Sequence, residues 1–197
     1  MSRDDAPLQH LLDEIRACRV CAQHLPLGPR PVLRARASAR LLIVGQAPGT
    51  RVHASGVPWD DRSGDRLRQW LGVDADTFYD DRRIAIMPMG FCFPGIDPGG
   101  GDNPPRPECA PLWHDRVLEH LPRLELVLLI GTYAQKRYLG VQRQNSMTAT
   151  VMAWRDYLPG RLPLPHPSWR NTAWLKRHPW FEAELVPELR RRVAGLV

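Results

Sequence analysis

The chain has 197 residues and four cysteines, with 27 lysines and arginines against 21 acidic residues, a formal charge of +6. That length suits one packed domain and is short for two. No apolar run reaches the ~18 residues of a membrane-crossing helix, and the polar start after Met1 has no leader pattern, so a cytoplasmic monomer without a membrane partner is expected.

The arginine surplus, as at Arg34, Arg36 and Arg40 and again at 190–192, points to an anionic partner, of which nucleic acid is the commonest. Leu8, Leu11, Leu12 and Ile15 recur at helical spacing, so 7–17 reads as an amphipathic helix. It leads into Cys18-Arg19-Val20-Cys21, whose two sulfurs can share a metal centre but supply only half of a four-thiolate site. In a reducing compartment the four cysteines are metal ligands or core residues rather than disulfides. Residues 24–39, rich in proline and arginine, are expected to wrap the surface.

Leu41 to Val44 is a buried parallel strand that Gly45, Pro48 and Gly49 end abruptly. The loop that follows therefore sits at a strand's carboxyl end, where open α/β sheets bind ligands. It carries Gln46, Trp59, Asp60 and Asp61, and a helix capped by Ser63 is expected after it, with Leu67, Trp70 and Leu71 on one face. Residues 84–89 read as the second strand. The segment after them, bounded by Cys92 and Cys109, holds too much glycine and proline for a regular element.

A helix around 113–121, a central strand within 124–131 and a helix over 133–139 follow. Residues 140–160 read as loop plus a helix around 151–157. A short strand at 162–164 delivers His166-Pro167-Ser168-Trp169-Arg170-Asn171, with Asn171 capping a closing helical region that Pro179 and Pro187 break or kink. Alternating strands and helices predict a three-layer α/β/α sandwich with a mostly parallel four-stranded sheet, and loops 45–61, 90–109 and 165–171 on one rim.

Gly45-Gln46-Ala47-Pro48-Gly49 after an apolar strand, Pro58-Trp59-Asp60-Asp61, and His166-Pro167-Ser168 together resemble the uracil-DNA glycosylase superfamily over nearly the whole chain. The resemblance is nearest to the bacterial and archaeal branch that carries an iron–sulfur cluster. It implies that Cys18, Cys21, Cys92 and Cys109 hold a 4Fe–4S cluster, with zinc and a buried apolar role as alternatives. It also implies a DNA repair enzyme that flips a uracil, or another deaminated base, from DNA and hydrolyses its N-glycosidic bond, leaving an abasic site.

Breaking that bond needs an anion beside a cationic sugar and donors for the charge that grows on the departing base. The family's acidic residue is absent at Ala47, so Asp61 of the Asp61-Arg62-Ser63-Gly64 segment is the candidate carboxylate. Asp60 is its rival, and either could instead cap the helix. Gln46, with Ala47, Pro48 and Gly49, would line the base pocket, Trp59 would stack on the base, and His166 would donate to a uracil oxygen.

Relatives place an asparagine where this chain has Pro88, so the backbone amides of Met89 and Gly90 are expected to substitute. Ser168 and Arg170 would bind phosphates and Trp169 would enter the minor groove. The alternative function is a non-catalytic protein of the same fold that grips damaged DNA or an abasic site. A relative of that kind traps DNA through a histidine in a basic insertion; residues 95–107 here hold no histidine and only Arg106. A G-x-S-x-G elbow, which would mark an unrelated α/β hydrolase, is absent.

Overall fold

The computed structural model describes residues 5–197; Met1 and the polar start that bears on a leader lie outside the described residues. Strands β1 (Leu41–Val44), β2 (Ile84–Ile86), β3 (Leu126–Ile130) and β4 (Arg161–Leu164) form one parallel sheet in the order β2-β1-β3-β4. Ile43 pairs with Ile86 on one side and Leu128 on the other. The side-chain period of two explains the near-continuous apolar runs, because both faces are covered.

Leu41, Ile43, Ile84 and Ile86 pack with Leu67 and Trp70 of α3 (Arg62–Leu71) and Leu189 and Val193 of α9 (Val186–Ala194). Leu42, Val44 and Ala85 face the other way, against α1 (Asp5–Arg16), α5 (Cys109–Glu119) and α6 (Gly131–Leu139). This is the expected three-layer sandwich. No helix among the described residues is long and apolar enough to cross a membrane.

Four expectations need correction. Residues 24–39 do not simply wrap the surface: Val32, Leu33, Ala35, Ala37 and Ala39 are buried, and Arg34 exchanges backbone hydrogen bonds with Ile86 along the free edge of β2. The strand expected to reach Met89 is regular only to Ile86: Met87 and Met89 still donate to the Ile43 and Gly45 carbonyls, while Pro88 has no N–H to continue the outer pairing that Ile86 makes with Arg34. The loop after β1 contains α2 (Thr50–Ser55), and α4 (Ala75–Tyr79) follows α3. In 140–160 the helix expected around 151–157 is split into α7 (Met147–Met152), which begins earlier, and a 3-10 turn over Trp154–Tyr157. The closing region holds α8 (Thr172–Arg177) before α9, with Pro179 between them and Pro187 in the first turn of α9.

Candidate active site

The connection leaving β1 turns toward β2 and the one leaving β3 turns toward β4, so the sheet opens a crevice at its carboxyl ends. A cavity of about 430 Å³ lies there. Gln46, Ala47, Pro48, Gly49, Trp59, Asp61 and Ser63 line it from the β1–α3 segment, Pro88 from the end of β2, and Gly100 and Asp102 from the long loop. His166, Ser168, Trp169, Arg170 and Asn171 close it from beyond β4. All three loops therefore meet, and the volume is in the range of small-ligand sites.

Asp61, not Ser63, caps α3: its extended backbone leaves the carboxylate to accept the Gly64 N–H at 2.8 Å. An anion fits that position, where unpaired N–H groups and the helix dipole gather. Ser63 sits in the first turn and faces the cavity instead. Asp60 does not line the cavity; its N–H goes to the Val57 carbonyl at 3.3 Å.

Trp59 has φ of 59°, a left-handed conformation that costs a non-glycine residue about 1 kcal/mol. Two glycines make room for it. A Cβ on Gly64 would lie 1.8 Å from the Trp59 carbonyl oxygen, and one on Gly45 would lie 2.8 Å from the indole Cζ2. The indole is so placed that its centroid lies 5.5 Å from that of the His166 ring.

The Ser168 N–H donates to His166 Nδ1 at 3.2 Å, and Asn171 Nδ2 donates to the His166 carbonyl at 2.7 Å. Nδ1 is thus an acceptor, so the ring hydrogen sits on Nε2. Burial pulls the imidazole down to about 4, with Asp61 opposing, so the ring is neutral near pH 7. Asn171, expected to cap a helix, makes no side-chain cap and holds the histidine loop instead.

Gln46 Nε2 donates to the Asn103 carbonyl at 3.1 Å, which orients the amide and ties the first loop to the second. The N–H groups of Met89 and Gly90, expected to read the base, are already spent on the carbonyls of Gly45 and Gln46 at 2.9 and 3.0 Å. Neither residue lines the cavity; they brace the first loop. At the mouth, Trp169 is 73% exposed and the Arg170 guanidinium lies over its ring. Arg170 also donates to the Gly100 carbonyl, and Arg66 to that of Ser168, so both groups lock loops together.

Asp102, Ser63 and Asn171 were not anticipated in the cavity. Asp102 is exposed at the cavity's rim, but partial desolvation of its carboxyl, with help from Asp61 and against Arg170, raises its pKa. Its acidic character in a glycine run was the one visible signal.

The four cysteines line a second, small pocket with Leu25, Phe91 and Trp113. Cys109 is the first residue of α5, and the Phe91 N–H donates to its sulfur at 3.4 Å. Burial pushes the Cys109 thiol up to about 12 and that of Cys92 to about 11, and the neighbouring cysteines push the same way. Among the described residues no group of three or more His, Cys, Asp or Glu side chains is arranged to hold a single metal ion.

The family model of the uracil DNA glycosylase superfamily matches residues 34–190. The match covers the sheet, the cavity loops, Cys92 and Cys109, and leaves Cys18 and Cys21 before it. Most of the chain, including every cavity-lining residue from Gly45 to Asn171, is thus accounted for, and the protein belongs to the uracil DNA glycosylase superfamily.

Proposed function

We propose that the protein removes uracil, and other deaminated bases with a similar edge, from DNA by hydrolysing the N-glycosidic bond. The observation that carries this reading is His166, whose Nδ1 accepts from Ser168 and leaves Nε2 as the donor, beside Trp59 in a cavity that also contains Asp61. A neutral imidazole donates a hydrogen bond without bringing a full charge, so its bond to a base carbonyl strengthens as the leaving base becomes an anion.

The chemistry distributes over few groups. The N1–C1′ bond breaks with its electron pair on the base, which departs as an anion stabilised by His166. Asp61, held at the head of α3, faces the developing sugar cation and orients the water whose oxygen forms the new bond to C1′; the water's proton passes to the carboxylate and on to solvent. Trp59 offers a face for stacking and Gln46 a polar wall. Exposed Trp169 suits insertion where the base has left the duplex, while the arginines supply salt-sensitive attraction to phosphates.

Cys18, Cys21, Cys92 and Cys109 are assigned to a 4Fe–4S cluster, which when bound would staple the segment after α1 to the long loop. Buried thiols that disfavour each other's ionisation, with a backbone N–H aimed at one sulfur, suit ligation by a cationic centre. A single zinc on the same four sulfurs is the alternative occupant.

Incubation with a single-uracil oligonucleotide followed by alkali tests the reaction. Strand scission at uracil is the expected result. Tight retention without scission would favour a damage-binding protein of the same fold.

A further inference from the structure

The cavity's polar side chains are mostly committed to holding loops. Gln46 Nε2 is on Asn103, Asn171 Nδ2 on His166, Arg170 on Gly100, and Asp61 on the Gly64 N–H. The end of β2 offers a base no free N–H. Pro88 has no N–H, and its carbonyl is taken by His114 Nε2 at 3.1 Å.

Asp102, like the hydroxyls of Ser63 and Ser168, is not committed in this way, and of these three it alone is ionisable. Its carboxyl lines the cavity, and among the described residues no hydrogen bond or ion pair reaches it. Its backbone is nevertheless well anchored. Asp97 N–H to Gly101 and Asn103 N–H to Gly95, at 2.6 and 2.9 Å, close the loop on either side of it. Asn103 also anchors to Pro94 and accepts from Gln46. Oδ2 reaches to 3.5 Å from where a Cβ on Gly49 would stand, beside the β1 turn.

We propose that Asp102 reads the hydrogen-bonding edge of the extruded base, its two oxygens pairing with a ring N–H and the adjacent ring carbonyl. This rests on the glycosylase reading above. A carboxylic acid presents one donor and one acceptor, the same pair that a side-chain amide would offer. An ionised carboxylate presents acceptors only and would repel the ring carbonyl. The acid is therefore the competent form; partial desolvation and Asp61 shift the carboxyl in that direction, Arg170 opposes them, and His166 is neutral. The ligand class is any base that carries N–H next to C=O on its exposed edge, as deaminated bases do.

Native protein, Asp102→Asn and Asp102→Ala are compared by tryptophan fluorescence for binding of free uracil and of 3-methyluracil, which lacks the N–H, across pH. The same proteins are assayed on the single-uracil oligonucleotide. Native protein prefers uracil to 3-methyluracil by about tenfold, the equivalent of one net hydrogen bond, and this preference fades as pH rises through the raised carboxyl pKa. Asp102→Asn keeps the preference at all pH values, whereas Asp102→Ala loses it and cleaves about 100-fold more slowly.

An asparagine variant no better than alanine, or a native preference independent of pH, overturns the assignment. If free bases bind too weakly to read, the cleavage rates of the two variants decide in the same way. A protein that shows the binding pattern but never cuts at uracil would overturn the glycosylase reading and leave Asp102 standing.

Discussion

The indole of Trp59 and the imidazole of His166 lie with centroids 5.5 Å apart and planes inclined by 32°. They come from opposite ends of the sheet's connectivity, one after β1 and one after β4, so their contact reports that the cavity is closed. Trp59 reaches it only because Gly45 and Gly64 lack side chains. Gly64→Ala forces a Cβ into the Trp59 carbonyl and is expected to destabilise the fold by about 3 kcal/mol. Gly45→Ala meets the far end of the indole, so it should cost less stability and instead displace the ring and weaken base binding. Urea denaturation and tryptophan emission of the two variants check this order.

Asp61 and Asp60 separate cleanly by substitution. Asparagine caps helices as well as aspartate, so Asp61→Asn keeps the bond to Gly64 and removes only the charge. The expected result is an unchanged melting temperature with single-turnover cleavage reduced about 100-fold or more. Asp60→Asn should stay near native in both. The reverse order of activity loss would reassign the carboxylate.

Stability should fall in mild acid. His166 and His114 are both held near 4 by burial, against an ordinary value of 6.5. The unfolded chain therefore binds more protons between those values, so their contribution is complete above about 6.5 and is lost as the pH falls toward about 4. Melting temperature against pH should slope upward across that window. His166→Gln removes part of the slope, and an unaltered slope would show that the imidazole is not buried in solution.

The cysteine pocket makes an analytical prediction. Protein purified without oxygen should be brown and contain iron and acid-labile sulfide at about four each per chain. Serine at Cys92 or Cys109 should abolish the colour and lower the melting temperature. Colourless protein with one bound zinc would overturn the assignment.

Strands β1 and β3 were readable because uninterrupted apolar runs between turn residues admit little else. Helix α2 was not, since Thr50–Ser55 buries only Val52 and lies among glycines and prolines. The buried edge segment had a signal that its arginines concealed. Ala35, Ala37 and Ala39 alternate with Arg34, Arg36, Ser38 and Arg40, the period of an extended chain with one face inward. In the cavity, Gln46, Asp61 and His166 could be named from motif and strand-end position. Asp102 could not, because it stays exposed in a glycine-rich loop and only the tertiary fold brings that loop to the rim of the cavity.

Strand β4 lies at the sheet's outer edge and is the last to join it, and the histidine loop hangs from its end. During synthesis the ribosome delivers the first three strands well before this one. A nascent or truncated polypeptide that ends before β4 would have the tryptophan and both carboxylates without a wall to face them. On the proposed reading, the ability to act on a damaged base is therefore acquired only when β4 and the histidine loop are in place.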